Sequence, residues 1–266
     1  MPSFIFIDHF LIALFGLAIG SFASYVTYRL GEGQDLLFSY SKCTSCNYRL
    51  KCYNLIPLFS WFLQKGKCSN CGVKISIRYP LLELMFLVIF LVIFSINNFQ
   101  INESLVFLLT FASIFLMIAI IDIEYYFVPI QIQIVLLLTV LIFHLFNVDN
   151  FDRIFYFCYS AVIFSAFSYF LYYVFLIFLK KEAIGVDDIK LFFTIGLLLG
   201  LKKFVDFAFL CGLFGLIFGI IWQKAKDDET FPFAPAILTS TFICFIMREN
   251  NSFLELIIIK AANILA

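Results

Sequence analysis

Eight long apolar segments follow one another through this 266-residue chain, and they constrain its fold more than any other feature. A helix that crosses a bilayer needs about 20 mostly apolar residues, and fewer where flanking side chains reach the interface. Within the bilayer, only helices and closed barrels satisfy all backbone polar groups. The pattern predicts transmembrane helices at residues 8–28, 81–96, 104–121, 131–146, 154–179, 189–201, 204–222 and 232–247.

The composition agrees with a membrane protein. Hydrophobic residues make up 63% of the chain and charged residues 14%, whereas soluble domains carry roughly 25% charged residues. A soluble fold could not cover so much apolar surface. The formal net charge is zero, so no nucleic acid is expected as a partner. We therefore predict an all-α polytopic membrane protein with about eight transmembrane helices and the lipid bilayer as its main environment.

The distribution of basic residues predicts the orientation. Residues 29–80 contain eight Lys and Arg residues, whereas residues 97–103 contain none. Because basic loops stay on the cytoplasmic side, residues 29–80 should face the cytoplasm and the N-terminus should lie outside. The first apolar stretch lacks a basic start and a cleavage site of small residues, so we expect it to be a retained helix.

Four of the eight cysteines form two Cys-x-x-Cys pairs in this long polar segment, Cys43 with Cys46 and Cys68 with Cys71. The pairs are separated by 21 residues, near the spacing of a zinc ribbon in which each pair supplies two thiolates. Four protein ligands close the coordination sphere, so the zinc would be structural. The alternatives are a redox dithiol pair or free thiols, but the βαβ context of a thioredoxin-like motif is absent.

Two carboxylate positions lie beside apolar runs. Asp122 ends the third predicted span, and Asp187-Asp188 precede the sixth, so both should lie at the cytoplasmic membrane boundary. Two aspartates that approach each other can share a proton, so one activates water while the other protonates a substrate carbonyl. Acids at helix ends also serve as caps and interfacial charges, so the spacing alone leaves a structural role open.

Six blocks along the chain carry further information. They are Gly20-Ser-Phe-Ala-Ser-Tyr-Val-Thr-Tyr-Arg29-Leu, Tyr53-Asn-Leu-Ile-Pro-Leu-Phe-Ser-Trp61, Ile75-Ser-Ile-Arg-Tyr-Pro-Leu-Leu-Glu83-Leu, Asp122 followed by Val128-Pro129, Gly185-Val-Asp-Asp188-Ile-Lys-Leu, and Phe231-Pro-Phe-Ala-Pro235. In this order they resemble the bacterial type IV prepilin peptidases, the leader peptidase and N-methyltransferase family.

The resemblance implies an intramembrane aspartyl endopeptidase of the bacterial inner membrane. Such enzymes remove the cytoplasmic leader of type IV prepilin or pseudopilin precursors after a Gly, and bifunctional members then methylate the new N-terminus with S-adenosylmethionine. It assigns Asp122 and Asp188 as the catalytic pair and Cys43, Cys46, Cys68 and Cys71 as zinc ligands. The cofactor-binding residues are unknown, with Arg78 and Glu83 as candidates.

Four positions depart from the family pattern. Asp187 replaces the Gly before the second catalytic aspartate, Ile130 replaces an acid after Pro129, Ser24 replaces an Asn, and Ala234 replaces a Gly. A Gly at position 187 would let a substrate backbone approach closely, and Asp187 adds a like charge beside Asp188. These departures are compatible with proteolysis and allow a range of substrates that differs from the family's.

We expect four parts in the chain: the first transmembrane helix (1–30), a small cytoplasmic zinc-ribbon-like, methyltransferase-associated domain (31–80), the helical protease core (81–251), and an apolar tail (252–266). Two alternatives to an enzyme remain. One is a non-catalytic assembly factor of a pilus or secretion system that docks through the zinc ribbon. The other is a transporter, which would need acids at mid-membrane depth.

Overall fold

The computed structural model describes residues 2–34, 36, 40–147, 151–180, 185–226 and 231–247. The predicted tail at 252–266 lies outside these residues. The described chain is helical, and its only β-pairing consists of two isolated bridges near the cysteines. The helices are α1 (Pro2–Gly31), α2 (Phe59–Leu63), α3 (Arg78–Ile96), α4 (Glu103–Tyr125), α5 (Ile130–Asn147), α6 (Phe151–Leu179), α7 (Val186–Leu199), α8 (Phe204–Lys226) and α9 (Ala234–Ile246).

All eight predicted spans coincide with helices. By length and composition, six helical segments of the described chain can cross a membrane: those in α1, α3, α4, α5 and α6, and Leu201–Lys226. The other two, α7 and α9, have 14 and 13 residues and are shorter than a straight crossing needs. The expected break between the sixth and seventh spans falls at Gly200, whose φ of +74° favours glycine.

The chain divides into two units, Met1–Met117 and Ile118–Ala266, and α4 runs through the boundary between them. In the first unit, α1 packs along α3. Gly16 and Gly20 make this contact close, because a Cβ atom at Gly20 would lie 2.8 Å from the Cα atom of Glu83. The Gly-x-x-x-Gly spacing thus serves helix packing, as small residues do in membranes. This close contact also fixes the position of Glu83 along α1.

Replacing Gly20 by Ala should destabilise this unit. The added Cβ atom would meet the backbone of α3, which cannot yield as a flexible side chain can. We expect the free energy of unfolding to fall by about 1–3 kcal/mol, the usual cost of overpacking. Thermal unfolding of the detergent-solubilised protein would measure this loss. Gly212→Ala is the matched control, because nothing lies within 4 Å of a Cβ atom there. Equal unfolding midpoints for the two variants would contradict the packing argument.

In the second unit, α7 packs against α6, α5 and α9, and α8 packs against α9. The contact with α6 is close because a Cβ atom at Gly196 would lie 2.8 Å from the Cα atom of Ala161. The contact with α5 includes a 2.7 Å hydrogen bond between His144 Nε2 and the Leu197 carbonyl. Because its first turn carries Asp188, α7 holds that aspartate at a defined place in the unit.

Candidate active site and metal centre

Asp122 lies in the last turn of α4. The helix closes just beyond it, where the Tyr126 N–H donates to the Asp122 carbonyl at 2.9 Å with Tyr126 at a φ of +59°. The side chain is 7% exposed, and its Oδ2 atom accepts a 2.9 Å hydrogen bond from the backbone N–H of Ala234. The end of one helix and the start of another therefore fix the orientation of this carboxylate.

Asp188 lies in the first turn of α7 and is 8% exposed. Its Oδ2 atom accepts a 3.1 Å hydrogen bond from the backbone N–H of Gly185, the residue that precedes the helix in an extended conformation. This is the contact that an acid at the third helical position makes with an N-cap residue. Asp188 therefore satisfies a helix end, and a catalytic role has to be argued from its neighbour.

That neighbour is Asp122. The two carboxylates come from helices that are distant in sequence, yet they interact electrostatically. One oxygen of each is held by a backbone N–H, and the other has no hydrogen-bond partner among the described residues. Two interacting carboxylates can provide a state in which one is protonated and the other is ionised. This is the state that general acid–base chemistry requires.

The four predicted metal-binding cysteines also come together. The sulfur atoms of Cys43, Cys46, Cys68 and Cys71 all lie within 4.8 Å of one another, so they could hold a metal ion. The remaining four cysteines, Cys52, Cys158, Cys211 and Cys244, are free and are not part of this cluster. The segment that carries the cluster, residues 40–77, is called the cysteine module below.

Each Cys-x-x-Cys pair of the cysteine module is built on the same turn. The Cys43 N–H donates to the Tyr48 carbonyl and the Cys68 N–H to the Val73 carbonyl, both at 2.9 Å. The residue after the second cysteine of each pair has a left-handed backbone conformation, with φ +54° at Asn47 and +72° at Gly72. Both residue types tolerate this conformation, which explains why they stand there.

Hydrogen bonds favour the thiolate form, which is the form that binds metal, at two of the four sulfur atoms. The Tyr48 N–H and the Asn70 side-chain amide lower the pKa of Cys46 to about 6. The Cys71 and Asn70 N–H groups lower the pKa of Cys68 in the same way. At Cys71 the Val73 N–H lowers the pKa, but burial and hydrogen bonds with the other three thiols outweigh it and raise the pKa to about 11. All four donor atoms are sulfur, and four is the number that a tetrahedral site needs. The cluster therefore suits zinc better than a hard cation.

The two candidate cofactor residues have different surroundings. The Arg78 guanidinium donates to Thr27 Oγ1 at 2.8 Å and to the Ser24 carbonyl at 3.3 Å, so it ties the start of α3 to α1. Glu83 is 7% exposed and accepts a 2.7 Å hydrogen bond from the Leu58 N–H. Glu83 lines a cavity of the first unit, and Arg78 is not among the residues that line it.

Two models of known protein families match the regions that contain the two sites. The model described as the bacterial peptidase A24 N-terminal domain matches residues 14–96, and the model of the type IV leader peptidase family matches residues 109–220. The two models together cover well over half of the chain. The chain belongs to the type IV leader peptidase family. The four clustered cysteines fall within the first match, and Asp122 and Asp188 fall within the second.

Curated relatives agree with this family. A Bacillus subtilis protein is 28% identical over 240 residues, which is 89% of this chain and 93% of the relative. A Neisseria gonorrhoeae protein is 28% identical over 90% of this chain and 91% of its own length. A Dichelobacter nodosus protein is 27% identical over 89% and 91%. Each is named a prepilin leader peptidase/N-methyltransferase. No solved structure gives a significant match.

The structure explains two of the departures from the family pattern. Asp187 forms a 2.8 Å ion pair with Lys190 on the exposed side of α7, which offsets part of its charge, but its carboxylate still interacts electrostatically with both Asp122 and Asp188. Ala234 contacts Asp122 through its backbone N–H, which does not depend on the side chain. From the sequence, Ala234 is visible only as a departure from the family pattern, and its contact with Asp122 was not predicted. The Phe-Ala-Pro block was the available signal.

Proposed function

We propose that the chain is a membrane endopeptidase that removes the leader of type IV prepilin-like precursors after a Gly, with Asp122 and Asp188 as its catalytic pair. The observation that carries this proposal is the buried, interacting pair of carboxylates, each anchored by one backbone N–H. The family of the chain and the names of its relatives support it, because a leader peptidase needs a site of this kind.

Hydrolysis by such a pair needs no covalent intermediate. The ionised carboxylate accepts a proton from a water molecule, whose oxygen attacks the carbonyl carbon of the scissile peptide bond. The protonated carboxylate donates its proton to the carbonyl oxygen. The tetrahedral intermediate then collapses and the C–N bond breaks. The first carboxyl group gives the amine the proton that it took from water, and the second takes a proton back from a hydroxyl of the intermediate. The two backbone anchors keep both carboxylates in place during these steps, which is how preorganised sites lower barriers.

We further propose that the chain methylates the new N-terminus, as the names of its relatives state for those proteins. When bound, S-adenosylmethionine supplies a sulfonium methyl group that a neutral amine can attack, and the products are the methylated amine, a proton and S-adenosylhomocysteine. The residues of this chain would have to bind the cofactor, exclude water and present the amine. The absence of a Gly-x-Gly-x-x-Gly motif excludes a Rossmann-type site.

The chain is a multi-pass protein of the bacterial inner membrane, given its helices and its family. We propose that the cysteine module and both aspartates face the cytoplasm, because the basic residues concentrate in residues 29–80. The proposed metal is zinc in a structural role. Residues 40–77 contain little apolar core, so a bound metal would supply folding free energy that packing does not.

Co-expression with a prepilin-like precursor from the same genome tests the proposal. Intact mass spectrometry of the precursor should show loss of the leader and the addition of one methyl group. Loss of the leader without methylation would support the peptidase and contradict the methyltransferase. A precursor that stays uncut but co-purifies with the chain would favour the alternative of a non-catalytic assembly factor.

A further inference from the structure

The first unit contains a cavity of about 1010 Å³. Its walls come from the second half of α1, from the cysteine module and from the first turns of α3. This volume is at the upper end of the range for small-molecule sites, about 300–1,000 Å³. The cavity lies entirely within Met1–Met117 and contains neither catalytic aspartate. The proposed peptidase reaction therefore gives it no role.

A buried amide without a partner faces this cavity. Asn54 lines the cavity and is 8% exposed, and its Nδ2 atom has no hydrogen-bond partner in the described part of the chain. Burying a polar group without a hydrogen bond is costly, so such groups are rare in native folds. The Nδ2 atom itself is covered by the wall, so a ligand with an acceptor atom would satisfy it once the side chain rotates. The carboxylate, ribose and adenine of an adenosyl amino acid all provide acceptors.

A buried carboxylate faces the same cavity. Glu83 has no basic partner among the described residues, and its hydrogen bonds are with the Leu58 N–H and with Ser21. A buried carboxylate without a cation is unfavourable, and buried ionisable groups in membrane helices mark functional sites. A sulfonium or ammonium cation would supply the missing positive charge. S-adenosylmethionine carries both.

Glu83 also positions the segment that carries Asn54. Leu58 has φ +60° and ψ −55°, and the Phe59 N–H donates to the Pro57 carbonyl across it at 2.7 Å, which makes a strained γ-turn. Glu83 accepts its hydrogen bond from the N–H of this same Leu58. Strained backbone persists only where its surroundings hold it, and it concentrates at ligand sites. One carboxylate thus stabilises the turn and faces the cavity.

Aromatic rings complete the wall. Tyr28, Trp61 and Tyr79 line the cavity and are half-buried. Such rings stack on planar bases and attract sulfonium-like cations through their π faces. Cys43 and Cys68 line it as well, so the candidate metal centre forms part of the same wall.

We propose that this cavity binds S-adenosylmethionine, with Asn54 as a hydrogen-bond donor and Glu83 as the partner of the cofactor's sulfonium cation. The inference rests on the proposed methyltransferase function and assigns it a site. It retains Glu83 among the sequence candidates, adds Asn54, and makes Arg78 a positioning residue that joins α3 to α1.

Isothermal titration of the full chain in nanodiscs tests the site without relying on activity. The probes are S-adenosylhomocysteine, whose sulfur is neutral, and sinefungin, which carries an amine cation in its place. Asn54→Asp cannot donate a hydrogen bond, so it should weaken both probes by about tenfold or more. Glu83→Gln keeps an acceptor for Leu58 and loses the charge, so it should weaken sinefungin more than S-adenosylhomocysteine, again by about tenfold.

Two further variants separate binding from folding. Ser60→Trp fills the cavity from α2 without changing Asn54 or Glu83, and it should also weaken both probes. Asn98→Asp makes the same chemical change as Asn54→Asp at an exposed position outside the cavity, and it should leave binding unchanged. The unfolding midpoint of each variant without ligand shows whether the fold is retained.

The outcomes distinguish the site from the function. If the unmodified chain methylates a precursor but the Asn54, Glu83 and Ser60 variants bind both probes normally, the cavity assignment is overturned and the methyltransferase stands. If the unmodified chain neither binds the probes nor methylates, both are overturned. Equal losses of the two probes in Glu83→Gln would overturn the assignment of Glu83 to the cation.

Discussion

Asp122→Asn and Asp188→Asn should each lower leader cleavage by about a thousandfold or more. Asparagine keeps an oxygen that accepts from the Ala234 or Gly185 N–H, so the helix ends stay satisfied. What each variant loses is the ability to take up or release a proton. Acid–base groups contribute about 10²–10⁴-fold each, and paired groups fail together when one is removed. The measurement is the initial rate of leader removal, followed by mass spectrometry.

The double variant should be no slower than either single variant, because the pair works as a unit. Asp187→Asn is the matched control: it removes an acid from the adjacent position, whose side chain is paired with Lys190 at the surface. We expect it to retain cleavage. Full cleavage by Asp122→Asn or Asp188→Asn would show that these carboxylates only cap helices, and it would refute the proposed mechanism.

Cys46→Ser should abolish metal binding and unfold the cysteine module. In small zinc modules the metal supplies about 10–16 kcal/mol, far more than a core of this size can replace. Residues 40–77 contain several Lys and Arg residues that trypsin recognises. Cleavage within the module should therefore become about a hundredfold faster or more once the metal is lost, because protection follows local stability. Metal analysis and limited trypsin digestion measure the two effects.

Cys52→Ser provides the control, since Cys52 is an exposed cysteine that lies outside the thiol cluster. It should retain both the metal and the resistance to trypsin. Treating the unmodified protein with a strong chelator should reproduce the Cys46→Ser digestion pattern, and adding zinc should reverse it. A Cys46→Ser protein that keeps one bound metal ion and digests slowly would contradict a four-thiolate structural site.

The sequence predicted the helices well because hydrophobic length is a local property. A break between the sixth and seventh spans was predicted at Lys202-Lys203, between two apolar runs, and α7 ends slightly earlier, before Gly200. The cysteine cluster could be predicted because Cys-x-x-Cys turns are local, and only the pairing of two such turns is long-range. For the same reason, Asn47 and Gly72 occupy the positions where the turns need left-handed residues.

The long-range contacts could not be predicted in the same way. Sequence placed Asp122 and Asp188 at one membrane depth, but their interaction depends on how α4 and α7 pack. The Phe-Ala-Pro block points to this part of the chain but not to the Ala234 N–H itself, since almost any residue except proline can supply a backbone N–H. The resemblance named Glu83 as a candidate, but the proposed role of Asn54 was hidden for a related reason. A cavity and an unpartnered amide are properties of the packed chain, not of its spacing.

The hydrogen bond between Ala234 and Asp122 joins positions 112 residues apart, and it gives the order of biogenesis a functional meaning. The ribosome makes α4 and α7 well before α9, so both aspartates enter the membrane while one of them still lacks its anchor. The pair reaches its final geometry only when the last described helix arrives. The proposed catalytic pair would therefore acquire its final geometry only after α9 has been made and has packed in place.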